Sequence, residues 1–365
     1  MLSGWSTAGV LGCPICMEKS NAFHLHGRKT SYFDCHRMFL PRKHAYHKDK
    51  KSFIRGRLEK NTSGEEIFNQ VMLFPTTMED SVNTPPGYGA THKWTKKSIF
   101  WDLHYWKNNL IRHNLDVMHI EKNVFDNVFF KIMDVKGKSK DNINARKDVG
   151  ILRDRKEIAV PSNFLSRTIP KEVYTLTKEQ KRVICGWIQE LRFLDGYASN
   201  LGRCVDMNEL KMIGMKSHDC HVFMQRLIPI AFRELLPSFV WNPLTELSLL
   251  FRTICSTAVD TDKIIELEEK VAVILCNLEK IFPPAFFDSM EHLIVHLPYE
   301  VRIGGHVQYR WMYPFERFLK ELKKTLKNKA HIEGSICQAY IAQAINIFAE
   351  HYFEPHISCR RRRPR

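Results

Sequence analysis

The pattern of apolar and polar positions changes character near residue 98. Beyond it, segments 110–133, 178–194 and 264–282 carry apolar side chains three and four positions apart. That spacing lines one face of a 3.6-residue helix and predicts amphipathic helices with one buried side. Pro283 and Pro284 end the third of them, because a proline ring removes a donor and crowds the preceding turn. Further helices are predicted over 285–297, stopping before Pro298, over 313–327 and over 335–352. Residues 301–308 read as a short strand or turn bent at Gly304 and Gly305. The first 95 residues show few long apolar repeats and are rich in His, Lys, Arg, Gly and Pro, so they read as loops with short strands or helices. A polar stretch from 136 to 156 interrupts the periodicity as a surface loop. The fold class is mainly α with a small mixed α/β part.

Composition narrows the picture. With 365 residues, 44% hydrophobic and 26% charged, the chain can bury one large core or two smaller ones. Its formal charge of +15 favours a polyanionic partner, since each neutralised phosphate releases condensed counterions. Ten cysteines scattered over 365 residues do not form the short framework of a secreted disulfide scaffold and fit a reducing compartment. No apolar stretch approaches the roughly 20 residues that span a bilayer. The ending Cys359-Arg-Arg-Arg-Arg-Pro-Arg365 reads as a nuclear-import or phosphate-attracting cluster, or as a solvated tail.

Candidate chemistry begins at Cys13-Pro-Ile-Cys16, whose spacing lets two thiolates reach one zinc ion from a tight turn. The second pair of ligands would come from His24, His26, Cys35, His36, His44 and His47, with Cys35 or His36 joined by His44 favoured. The competing reading is two cysteines in a loop without metal. Arg37, Arg42, Lys43, Lys48, Lys50, Lys51, Arg55 and Arg57 are interleaved with Phe39, Tyr46 and Phe53, the mixture of phosphate neutralisers and stacking surfaces found in nucleic-acid grooves. A solvated basic loop is the alternative. Asp116 and His119, with Glu121 as a possible third member, fall near one another at a helix start and could orient a metal-bound water or a phosphate, although an aspartate there also serves as a cap. Glu316 follows Pro314 in an aromatic setting, either as a magnesium ligand or as a partner of the helix dipole. His218 with Cys220 and His221, and His292 with His296, are further metal spacings that more often serve packing or hydrogen bonding. No phosphate-cradling Gly-rich loop, HExxH or GxSxG is present, which removes the main support for common ATPases, zinc proteases and hydrolases.

Longer phrases carry a family resemblance. Cys13-Pro-Ile-Cys16, Phe39-Leu-Pro-Arg42, Ser98-Ile-Phe-Trp-Asp-Leu103, Arg112-His-Asn-Leu-Asp-Val-Met-His-Ile-Glu-Lys-Asn123, Leu210-Lys-Met-Ile-Gly-Met-Lys-Ser-His-Asp-Cys-His221, His292-Leu-Ile-Val-His-Leu297 and Arg310-Trp-Met-Tyr-Pro-Phe-Glu-Arg317 resemble plant CACTA (En/Spm-like) transposases. The resemblance implies an RNase H-like nuclease core, interrupted by a large helical insertion, that uses three carboxylates and Mg2+ or Mn2+ for in-line phosphoryl transfer. On that basis residues 1–95 are the end of the transposase core, 96–300 the helical insertion, 301–353 a C-terminal helical segment and 354–365 a basic tail. Asp116 and His119 match the family's Asp-x-x-His element, and Glu316 is the candidate third carboxylate. The implied partners are DNA at transposon ends and a second transposon-encoded protein, acting in the nucleus and without a membrane. In the family, the first two acidic residues precede the Cys-Pro-Ile-Cys segment, whereas only twelve residues, none acidic, precede Cys13 here. The expectation is therefore a fragment truncated at its amino end and catalytically incomplete, or a noncatalytic DNA-binding or protein-interaction module.

Overall fold

The structure is a computed structural model describing residues 4–25, 30–33, 36–41, 43–48, 62–74, 86–135, 137–138, 143, 172–326, 328 and 330–352. The chain divides into two compact units, Met1–Arg310 and Trp311–Arg365. Both are mainly helical, and strands among the described residues are confined to two small antiparallel ribbons.

The amino-terminal part of the first unit is held by aromatic packing. Residues 4–6 run against 93–95 through Ser6 N–H to Lys93 O (2.9 Å) and Thr95 N–H to Gly4 O (2.8 Å). The Trp5 and Trp94 rings meet edge to face at 5.1 Å. Gly4 allows the close approach: its φ is +82°, and a Cβ there would lie 2.1 Å from Lys96 O. Helix α1 (Gly64–Val71) closes this cluster with Ile67 and Val71, and starts at a reciprocal cap between Ser63 and Glu66. Strands β1 (Ala22–Leu25) and β2 (Thr30–Phe33) pair with Ala22 opposite Phe33.

The helical core follows. Helix α2 (Val117–Ile132) is buried around most of its circumference, as its apolar run Val124, Phe125, Val128 and Phe129 requires. It begins later than its periodicity predicts because the Asp116 carboxylate caps it, accepting from Met118 N–H at 3.2 Å. Helix α3 (Lys178–Glu190) opens with a Thr177–Gln180 capping box, and β3 (Val205–Asp206) pairs with β4 (Lys211–Met212). Helices α4 (Ser217–Val222) and α5 (Ile228–Ala231) flank a π turn at Phe223–Leu227. Pro229 explains the widening, since it has no N–H to offer the Gln225 carbonyl one turn back. Helix α6 (Ser238–Ile254) packs on α7 (Thr261–Ile281), which starts at an Asp260 cap.

Beyond α7 come a 3-10 turn at Pro284–Phe286, α8 (Ser289–Leu293), a 3-10 turn at Ile294–His296, and α9 (Leu297–Gly304). The strand or turn expected over 301–308 is instead the end of α9 followed by a 3-10 turn at Val307–Arg310. Pro298 does not stop the chain's helical course, because it occupies the first turn of α9, where no internal donor is needed. In the second unit, α10 (Tyr313–Lys324) and α11 (Ile332–Glu350) contain no buried residue among those described. Most of the 136–156 loop expected from sequence lies outside the described residues.

Candidate metal centre

Cys13 and Cys16 sit in a tight turn in which Met17 N–H bonds Cys13 O at 2.8 Å and Cys16 N–H points at Cys13 Sγ at 3.3 Å. Met17 takes a positive φ of 51° to complete it. The turn faces α8 and the 3-10 turn after it. Cys13 Sγ lies 3.4 Å from His296 Nε2, and Cys16 Sγ lies 3.4 Å from His292 Nε2 and 3.3 Å from His296 Nε2. All four ligand atoms fall within 4.8 Å of one another, and all four residues are buried. A regular zinc tetrahedron with Zn–S near 2.3 Å and Zn–N near 2.05 Å has an S···N edge of about 3.5 Å. The three S···N separations lie close to that edge, so the group could hold a metal ion.

Neighbouring elements set each ligand. The Asp288–Glu291 capping box starts α8, with Met290 N–H on Asp288 Oδ1 at 2.8 Å and Asp288 N–H on Glu291 Oε2 at 3.0 Å. Asn127 of α2 donates to Phe286 O at 2.6 Å and to Glu291 Oε1 at 2.8 Å, which fixes α8 to the core. Phe33 N–H donates to Phe287 O at 2.7 Å, and the Phe33 ring stacks on His292 at 5.0 Å. Phe39 contacts both His292 and His296, so apolar rings shield the imidazoles from water. A cavity of about 450 Å³ adjoins the centre, with Pro14, Ile15, Arg112 and His296 in its wall.

The two thiols are electrostatically unequal. Burial pushes Cys13 up, but its hydrogen bond with Cys16 and the positive character of His296 and His292 outweigh that and hold it well below the usual thiol range. Cys16 is driven well above that range by the hydrogen bond with Cys13, by burial and by the negative charge of Cys13. Zinc takes cysteine as thiolate, so a dication bound here would displace the thiol protons.

Of the ligands expected from sequence, Cys13 and Cys16 are in this centre. His36 is buried beside it rather than in it, with Nδ1 2.6 Å from Glu279 Oε1 of α7. Its ring lies 5.5 Å from that of His292. His44 accepts from Tyr46 N–H at 3.3 Å and packs on the Tyr46 ring. Cys35 lies outside the described residues. The second pair of candidate ligands is His292 and His296, whose spacing is visible in the sequence but has no third ligand beside it there.

Asp116 is half-buried as the cap of α2, and His119 is exposed with its carbonyl accepting from Asn123 Nδ2 at 2.8 Å. Glu316 is exposed in the first turn of α10, within the second unit. Lys43 is exposed, and the half-buried Arg37 guanidinium lies 5.9 Å from the Tyr46 ring centre. Arg42, Lys50, Lys51, Arg55 and Arg57 lie outside the described residues, as does the side chain of Lys48.

Residues 1–74 match the family model described as transposase family tnp2. This amino-terminal segment is similar to that family. Residues 254–365 match a second family model, described as a domain of unknown function (DUF4218). Neither the curated proteins nor the solved structures gave a match. The four ligands divide between the two matched segments: the cysteines fall in the transposase segment and the histidines in the other. The match over residues 1–74 supports a transposase-derived protein. Among the described residues, no helix is long and apolar enough to cross a membrane.

Proposed function

We propose that this chain is the zinc-fastened portion of a CACTA-type DNA transposase, in which one ion joins the amino-terminal transposase segment to the carboxyl-terminal segment. The observation that carries the reading is the buried Cys2His2 group, whose ligands are separated by 276 to 283 positions and come two from each matched segment. Two sulfurs and two imidazoles make a closed tetrahedral set that suits Zn2+ and leaves no position for substrate, so the ion's role is structural. Mg2+ or Mn2+ prefers oxygen donors and belongs to a different place, the carboxylate site of the intact enzyme. Asp116, His119 and Glu316 are proposed for that site, acting with further acidic residues of a complete transposase in an RNase H-like core. The basic segment between Arg37 and Arg57 is proposed to neutralise phosphates at transposon ends, in the nucleus.

A second reading, a noncatalytic DNA-binding or protein-interaction module, is favoured by the same closed donor set, which stabilises architecture rather than chemistry. Three measurements on the purified chain separate these ideas. Metal analysis and cysteine alkylation should find zinc bound and Cys13 and Cys16 protected until a chelator is added. Equal labelling with and without chelator would overturn the zinc fastening. Binding to duplex DNA should weaken steeply with salt, and replacing Lys43, Lys48, Lys50 and Lys51 by Gln should flatten that dependence by up to about four phosphate contacts. Nicking of transposon-end DNA with Mg2+ or Mn2+ by this chain alone would argue against the noncatalytic module.

A further inference from the structure

A second convergence of ligating side chains lies away from the Cys2His2 group, where α2, α4 and the end of α6 meet. Glu121 on α2 is fully buried. Its Oε2 lies 2.5 Å from His221 Nδ1 and accepts from Gln225 Nε2 at 3.3 Å. Its other oxygen, Oε1, is buried and has no hydrogen-bond partner. Cys255, the C-terminal cap of α6, completes the group, with its thiol, the imidazole and the carboxylate all within 4.8 Å of one another.

The surrounding backbone is arranged to hold these groups. His221 is followed almost at once by the π turn, and Gln225 sits within that turn. The widened turn lets Gln225 Nε2 reach Glu121 and also Phe251 O at 3.3 Å, so one amide positions the carboxylate against the end of α6. Single π turns of this kind recur at functional sites because they shift a few side chains out of the regular helical register. A buried carboxylate oxygen left without a partner, as Oε1 is, is costly. The carboxylate that carries this oxygen lies within ligand distance of the imidazole and the thiol.

We propose that Glu121, His221 and Cys255 form a second metal site, with one oxygen, one nitrogen and one sulfur donor, for a borderline divalent transition ion such as Zn2+. The mixed donor set selects against Mg2+ and Ca2+, which take oxygen ligands. Three protein ligands leave a fourth position of a tetrahedron for water, unlike the closed Cys2His2 group. His221 and Cys255 are only partly buried, which gives the ion a path from solvent. This inference is independent of the zinc fastening and of any role in transposition.

The test is a metal count on the whole chain, made metal-free and titrated with Co2+ as an optical stand-in for Zn2+, with Zn2+ content checked by mass spectrometry. The wild type should take two equivalents, one for each group. Cys255→Ser and Glu121→Gln should each take one. In Cys255→Ser the near-ultraviolet thiolate-to-cobalt absorbance should fall by about one third, because one of three ligating sulfurs is gone. Cys13→Ser/Cys16→Ser should also retain one equivalent, with the single-thiolate spectrum of the second site. A wild type that takes one equivalent, lost in Cys13→Ser/Cys16→Ser and unaffected by Cys255→Ser, overturns the proposal. Should a variant fail to fold, the wild-type stoichiometry and band intensity decide the matter alone.

Discussion

Replacing both His292 and His296 by Ala removes the carboxyl-terminal half of the proposed zinc fastening, and the structure sets the size of the effect. The contact between Cys16 and His292 spans 276 positions. In the chain-entropy treatment of a crosslink, closing a loop of that length removes about 19 cal/mol/K from the unfolded ensemble, or about 5–6 kcal/mol at 25 °C. Whole domains are stable by only about 5–15 kcal/mol, so the loss is a large share of the total. At about 2–4 °C in Tm for each kcal/mol, the expected fall is about 10–24 °C. The assay is thermal unfolding of zinc-loaded wild type and variant, with cysteine alkylation mapped at 25 °C. Cys13 and Cys16 should be protected in the wild type and reactive in the variant, while the exposed Cys337 labels in both. A variant that melts within about 2 °C of the wild type in zinc refutes the crosslink argument, because a tetrahedral site cannot survive with half of its ligands.

Other expectations follow from single contacts. Asp116→Ala should cost about 1 kcal/mol by uncapping α2, and Asp116→Asn should restore that stability in a thermal melt. If Asp116 also serves a nuclease, Asn will not restore nicking in a complete transposase, which separates the two roles. Gly4→Ala should lower the melting temperature by several degrees, since its Cβ would lie 2.1 Å from Lys96 O at a φ of +82°; an unchanged melt would mean that the Trp5–Trp94 cluster can shift. Burial raises the Cys185 thiol to about 11 from 9.0. Its contribution to stability is therefore full below pH 9.0 and lost as pH rises through about 11, where the unfolded chain has already released the proton. Native Cys185 should resist iodoacetamide at pH 8 while Cys337 reacts, and equal rates would contradict its burial.

Much of the helical layout was legible because it depends on neighbours in the chain. Apolar spacing placed α2, α3, α7, α10 and α11, with α2 starting late at its Asp116 cap, whereas the one helix expected over 285–297 is two 3-10 turns around the short α8, and Pro298 opens α9. Residues 301–308 misled because a glycine pair signals a bend equally well after a strand or a helix. The first half of the metal centre was readable for the same local reason: two cysteines with two residues between them can face one ion whatever the rest of the chain does. The second half was not, since nothing in the spacing of His292 and His296 says which distant thiols they meet.

The sequence by itself determined the helical periodicity, the basic charge and the two short ligand pairs, all of which are set within a few residues. Tertiary structure decided that those pairs converge, that His36 turns instead to Glu279, and that Glu121, His221 and Cys255 share one buried corner. The physical reason is that ligand geometry depends on distance in space. Once α2, α7 and α8 pack, side chains more than two hundred positions apart come within 3.4 Å, a closeness no local pattern encodes.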